Sequence, residues 1–201
     1  MLLLMQNGLL KMFVIPIERF SVPDWQEWKP KILESLTTGS TLARIDASGR
    51  TSLDDMQSDY FDNIKSKRLP SYYPLISEAL EPILEDFQIA YPLPIEIINM
   101  WYQTTKNGQM HGVHNHGPIG VSAVFYVDFN PEFHKPTTFI SPFPDYINGE
   151  VLDYTPDVYE GDVVFFPSFL MHQQEPNRSD IPRTIISFNI AGKPNIPLTW
   201  E

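Results

Sequence analysis

A mainly β chain, a jelly-roll sandwich buttressed by N-terminal helices, is the fold class this sequence predicts. Three observations predict it. Apolar residues recur at helical spacing only before about residue 90. From about residue 95 the chain turns to short runs rich in β-branched and aromatic residues. Proline and glycine punctuate those runs, and 19 prolines in all suit a sheet protein with long loops. Helices first and short strands afterwards point to helices laid against a double-sheet core.

The elements follow in order. Residues 12–20 (MFVIPIERF) read as a strand. Ser21-Val22-Pro23-Asp24 has the marks of a helix start, with Ser21 as N-cap and acidic residues in the first turn. Trp25, Trp28, Ile32, Leu33 and Leu36 then recur at helical spacing, with Pro30 disturbing the first turns. Residues 40–70 are polar and read as loop-rich. Over 74–89, Leu75, Ile76, Ala79, Leu80, Ile83, Leu84 and Phe87 form one apolar face, which predicts a second core-packed helix. Strands are expected at 95–103, 121–129, 136–141, 150–155, 162–167 and 183–191. The chain is read as one domain, with residues 1–91 as helical and loop support and 92–195 as the β core.

Composition narrows the function. At 201 residues, with 42% hydrophobic and 19% charged, the chain can bury a core without staples. It has no cysteine, which excludes disulfides, thiolate metal sites, iron–sulfur clusters and a cysteine nucleophile. Any metal must be held by histidine and oxygen ligands. A net charge of −11 disfavours nucleic acid and an anionic membrane surface as partners. The apolar run MLLLMQNGLLKMFVIPI is broken by Gln6-Asn7-Gly8 and Lys11, is too short to cross a bilayer and lacks a basic leader region. A start at Met12, with residues 1–11 as an extension, and a cytoplasmic protein are the expectations.

All five histidines lie in the β half, three of them in 108–116, GQMHGVHNH. His114 and His116 are two apart, so in extended backbone both imidazoles project to one side and can converge on a point. Neutral imidazole suits Fe, Zn, Cu or Ni. The stretch EGDVVFFPSFLMH, Glu160 to His172, reads as a turn, a buried strand, a proline and a histidine. That spacing lets the strand cross the sandwich and deliver His172 from the opposite sheet. At the start of RTIISFNI, alternation puts Arg183, Ile185, Ser187 and Asn189 on one face. A guanidinium aimed into a barrel mouth matches a carboxylate through two parallel hydrogen bonds.

Taken in order, Gly108, His114 and His116, SAVFYV, EGDVVFFPS, His172 and RTIISFN resemble the Fe(II)/2-oxoglutarate-dependent oxygenases. Most similar is a group of small bacterial and phage oxygenases with an H-x-H motif, related in pattern to prolyl hydroxylases. The resemblance covers about residues 95–191. It implies a double-stranded β-helix (cupin-like) core, with Fe(II) held by His114 and His172 and with 2-oxoglutarate and O2 as co-substrates. It implies that Arg183 binds the far carboxylate of 2-oxoglutarate and that Tyr126 hydrogen-bonds the same carboxylate, although strand pattern alone reads Tyr126 as core. Gln103 stands where relatives carry Asn near the co-substrate.

Two departures qualify the match. His116 stands where the superfamily has a carboxylate, and as third ligand it would leave the iron one unit more positive. Relatives with a small residue there halogenate; a bulky ligand favours hydroxylation. Ile185 stands where many members have Ser, and Ser187 or Tyr126 would supply the missing hydrogen bond. His111 is expected at the surface first and the substrate pocket second, His134 exposed, and Trp101 and Phe165 in the core. The implied reaction hydroxylates a C–H bond of a prolyl, peptidyl or small-molecule substrate and releases succinate and CO2. A cupin, acting as a metal-dependent enzyme or sugar-binding module without 2-oxoglutarate, is the alternative, and a non-catalytic jelly roll is a third. The cupin's acidic residue is missing at Gly120 and Val121, Phe169 replaces its glycine, and Arg183 has no role in it.

Overall fold

The strand-forming half sorts its side chains by parity, and that sorting builds two cores on one sheet. The computed structural model describes residues 14–38, 43–44, 56–90 and 94–192. Three helices, α1 (Trp25–Thr38), α2 (Tyr60–Ser66) and α3 (Tyr73–Ala90), accompany eleven strands. A seven-stranded sheet has the order β1-β9-β6-β11-β4-β3-β2, from β1 (Glu18–Ser21), β9 (Asp162–Pro167), β6 (Val121–Asp128), β11 (Arg183–Gly192), β4 (Ile95–Thr105), β3 (Gln57–Ser58) and β2 (Ala43–Arg44). A four-stranded sheet has the order β5-β10-β7-β8, from β5 (His111–His114), β10 (His172–Gln174), β7 (Thr137–Pro144) and β8 (Val151–Tyr154). Every pairing in both sheets is antiparallel.

On the central strands, Ala123, Phe125, Val127, Val163, Phe165, Ile186 and Phe188 face α1 and α3. The alternate residues Val124, Tyr126, Val164, Phe166 and Ile185 face the small sheet. In β4 the parity switches: Ile95 and Ile97 face the helices before Ile98, Met100 and Tyr102 after it. Asn189 pairs Asn99 while Ile190 pairs Ile97, so Ile98 is an extra residue, a β-bulge. The bulge turns Asn99, Trp101 and Gln103 toward the inner side.

α1 docks on the β6–β9 region. Lys29 Nζ bonds Glu160 Oε1 at 2.6 Å and Asp128 Oδ1 at 3.2 Å, and Trp25 Nε1 donates to Glu160 Oε2 at 3.2 Å. Gly161 sits at φ 88, with Trp25 Cγ only 2.6 Å from where a Cβ would stand, so only glycine lets the indole pack there.

The six expected strands appear as β4, β6, β7, β8, β9 and β11, and the helix expected over 74–89 is α3. Other expectations are corrected. The strand expected over 12–20 is present only as Glu18–Ser21 among the described residues; Met1–Phe13, including the proposed start at Met12, lie outside them. Ser21 is not a helix cap. It ends β1 and donates to Asp162 Oδ1 at 2.6 Å, and the helix opens after Asp24, whose carbonyl accepts from Glu27 N–H at 2.9 Å. The loop-rich stretch holds α2, held by the buried Asp59: its carboxylate accepts from Tyr72 Oη, Tyr102 N–H and Asn63 Nδ2. No described helix is long and apolar enough to cross a membrane.

Candidate active site

β5 and β10, four and three residues long, are the strands that pattern did not reveal, and they carry His114 and His172, two of the three candidate ligands. His172 does not arrive from the sheet opposite His114. β9 belongs to the large sheet, the chain crosses over at 168–171, and β10 pairs β5 with His172 directly across from His114. His116 follows β5, and its N–H donates to Ser168 O at 2.9 Å. The ligand-capable nitrogens of His114, His116 and His172 all lie within 4.8 Å of one another.

Hydrogen bonding sets which nitrogen each ring offers. Nδ1 of His114 lies 2.7 Å from Gly112 O, and Nδ1 of His172 lies 2.8 Å from Leu170 O. Carbonyls only accept, so both Nδ1 atoms carry a proton, which leaves Nε2 as the nitrogen that each ring can turn to a metal. Nδ1 of His116 lies 2.7 Å from Asn189 Oδ1, which also accepts from Ser122 Oγ at 2.7 Å, while Asn189 Nδ2 donates to Asn99 Oδ1 at 2.8 Å. Burial pulls the His172 pKa from 6.5 to about 3, helped by the neighbouring His114, and burial also lowers that of His116. Both rings are therefore neutral at pH 7, the form that binds a metal. Three imidazoles, each with Nδ1 against an oxygen acceptor, fit a divalent first-row ion.

A narrow crevice runs inward from these rings, lined also by Gln103, Thr137, Gln174, Arg183, Ile185 and Ser187. Arg183 is 1% exposed. Its Nη1 donates to Gln174 Oε1 at 2.9 Å, whereas Nε and Nη2 are buried with no hydrogen-bond partner. No salt bridge to Arg183 is present among the described residues. Burial lowers its pKa, opposed by the adjacent Tyr126. A buried guanidinium with two idle nitrogens is costly unless an anion reaches it, so the crevice fits a carboxylate.

Ser187 lines the crevice as the alternation required, and so does Gln103, which the resemblance had singled out and whose Nε2 donates to Gln174 Oε1 at 3.3 Å. Tyr126 is placed differently. Its hydroxyl donates to Thr137 Oγ1 and accepts from Thr137 N–H, both at 3.1 Å, and its ring lies 5.4 Å from the guanidinium carbon. It packs behind Arg183 rather than lining the crevice.

Outside the histidines a second cavity of about 420 Å³ opens between β4, α2 and the 111–116 segment. Trp101 belongs to its wall as well as to the core, with its ring edge-on to Tyr60 at 5.0 Å and 5.4 Å from the His116 ring. His111 is not simply a surface residue: it lines both cavities and stacks on His114 at 3.9 Å. His134 is not exposed. It is 3% exposed, with Nδ1 accepting from Asn130 N–H and Nε2 3.0 Å from Ile181 O, so it closes a loop. Phe165 is core, as expected.

Gln174 and Thr137 were missed, as were Tyr60 and Phe61. A signal existed for Gln174, which stands two residues after His172 and so shares its side of an extended strand. None existed for Tyr60 and Phe61, which sequence placed in a loop.

Residues 99–189 match the model of a family described as "Putative 2OG-Fe(II) oxygenase". No curated protein matches the sequence significantly. Among solved structures, the α-ketoglutarate-dependent epimerase SnoN from nogalamycin biosynthesis is similar, with TM-score 0.60 and 15% identity over 88% of this chain and 76% of that one. HygX from Streptomyces hygroscopicus, with nickel, 2-oxoglutarate and hygromycin B bound, has TM-score 0.56 and 13% identity over 90% and 84%. The viral collagen prolyl hydroxylase from Paramecium Bursaria Chlorella virus-1, in its 2OG complex, has TM-score 0.55 and 13% identity over 88% and 96%. At such identities the likeness is one of fold, and it agrees with the double-stranded β-helix expected.

Proposed function

We propose that this chain, whose residues 99–189 match the 2OG-Fe(II) oxygenase family model, is a member of that family and a hydroxylase that holds iron through three histidines. The family takes Fe(II), 2-oxoglutarate and O2. One observation carries the assignment of residues: His114, His116 and His172 line the same crevice as a buried Arg183 with two unpaired nitrogens.

In this reading His114 and His172 supply Nε2 from the small sheet. His116 supplies the third, oriented by Asn189 of β11. Arg183 receives the distal carboxylate, with Thr137 and Ser187 beside it and Tyr126 packed against the guanidinium. Gln103 and Gln174 bridge the crevice wall. Bound Fe(II) supplies the redox chemistry, in which 2-oxoglutarate, O2 and a substrate C–H bond give succinate, CO2 and an alcohol. The protein fixes ligand geometry, neutralises the dianion and keeps the crevice dry. Replacing the carboxylate by His116 raises the charge at iron by one unit, which the 2-oxoglutarate dianion offsets in part. A bulky histidine there leaves no room for halide, which favours hydroxylation over halogenation. The substrate is a prolyl, peptidyl or small-molecule compound entering through the outer cavity.

Anaerobic titration of the Fe(II) protein with 2-oxoglutarate tests this. Wild type develops a metal-to-ligand charge-transfer band, His172→Ala does not, and Arg183→Ala needs far more co-substrate. A cupin or a non-catalytic jelly roll gives no such band in any variant.

A further inference from the structure

We infer that the outer cavity selects an electrically neutral, ring-shaped substrate that both donates and accepts hydrogen bonds; this rests on the proposed oxygenase reading, because the cavity opens onto His114 and His116, two of the three candidate metal ligands. Among the described residues, no Asp, Glu, Lys or Arg lines this space of about 420 Å³. That is notable in a chain of net charge −11. An acid stands next to the wall in sequence, since Asp59 lies between Ser58 and Tyr60, which both line the cavity. Its carboxylate is turned away and used up by Tyr72 Oη at 2.8 Å, Tyr102 N–H at 2.9 Å and Asn63 Nδ2 at 2.8 Å. The cation Arg183 lines the inner crevice and not this cavity.

Three aromatic rings and four amides are what the wall offers instead, and two of the amides, Asn115 and Asn189, are engaged within the protein through both their oxygen and their nitrogen. Tyr60, Phe61 and Trp101 give apolar surface, with Tyr60 edge-on to both of the others at 5.3 and 5.0 Å. Asn99 has its oxygen engaged by Asn189, which leaves its N–H groups for a ligand. Gln103 has its nitrogen engaged by Gln174, which leaves its oxygen. One free donor and one free acceptor beside aromatic rings match a saturated ring with polar substituents, whether a glycoside or an amide-flanked pyrrolidine. A phosphate, free carboxylate or ammonium would lose its hydration there and gain no counter-charge. Free amino acids and phosphorylated sugars are therefore rejected.

Two matched pairs of probes test this on protein loaded with Ni(II) and 2-oxoglutarate, read by thermal shift and by quenching of tryptophan fluorescence. The pairs are methyl β-glucopyranoside against glucose 6-phosphate, and N-acetylprolinamide against free proline. At least one neutral member is expected to bind about tenfold or more tightly than its charged partner, and the pair that responds identifies the source. Tyr60→Ala should abolish that preference and Tyr60→Phe should retain it; if Tyr60→Ala does not fold, Phe61→Ala reads the same wall. Binding of a charged partner as tightly as the neutral one, or of neither neutral probe, overturns the inference. Co-substrate binding is scored first by the charge-transfer band of the Fe(II) protein, so loss of the band sinks the oxygenase reading, and a band without neutral-probe preference sinks only this one.

Discussion

The two faces of the large sheet are built from the same strands and do opposite things. Toward the helices, Phe125, Phe165, Ile186 and Phe188 form a sealed apolar layer. Toward the small sheet, the alternate positions mix Val124 and Phe166 with Gln103, Arg183 and Ser187, and the histidines close over them. One residue of offset separates a side chain that holds the fold from one that lines the candidate site. The difference teaches that stability and chemistry share strands here but not positions, so mutations on the two faces should separate cleanly.

The largest expected effect lies on the helix face. Phe188→Ala should lower stability by about 3–5 kcal/mol, the usual range for truncating a fully buried phenylalanine, while the folded fraction still binds metal. Denaturant unfolding beside a metal-binding assay checks this, and loss of metal affinity in the folded fraction would break the comparison.

On the inner face the order reverses. Arg183→Met should weaken 2-oxoglutarate by about 1.5–3 kcal/mol, the worth of hydrogen bonds to a charged group. The ligand-free protein should lose no stability and gain some, because a buried unpaired cation is removed. Calorimetric titration and thermal melts read the two quantities. A large stability loss would mean that Arg183 is structural.

Asn189→Leu should reduce metal affinity by about 10–100-fold, the typical effect of removing an outer-shell partner, since His116 loses the acceptor that fixes its tautomer. Competition with a chelator measures it. Unchanged affinity would remove His116 from the ligand set.

Taken per pH unit, the smallest effect is in pH. His172 has its pKa lowered from 6.5 to about 3 by burial first and by His114 second. The folded state therefore binds fewer protons than the unfolded chain between those values. Metal-free stability should fall as pH drops from about 6.5 toward 3, by at most about 1.4 kcal/mol per pH unit from this group. Urea unfolding of wild type and His172→Gln at pH 7 and pH 5 tests the sign: the variant's loss should be smaller.

Sequence alone determined the parity of the long strands, because a half-buried strand must alternate and the hydrophobic effect writes that alternation into residue order. It therefore placed β4, β6, β9 and β11, the helix α3, the H-x-H pair and the shared face of Arg183, Ser187 and Asn189. Tertiary structure alone decided what depends on groups distant in the chain. β5 and β10 are too short to show a period and exist because they pair each other. The three imidazole tautomers are fixed by acceptors at Gly112, Leu170 and Asn189, the last of these 73 residues from His116. His134 is buried because Ile181 reaches it, and Asp59 is kept out of the outer cavity by Tyr72 and Tyr102. Local order records which side a residue faces; which partner waits there is set only when the two sheets close.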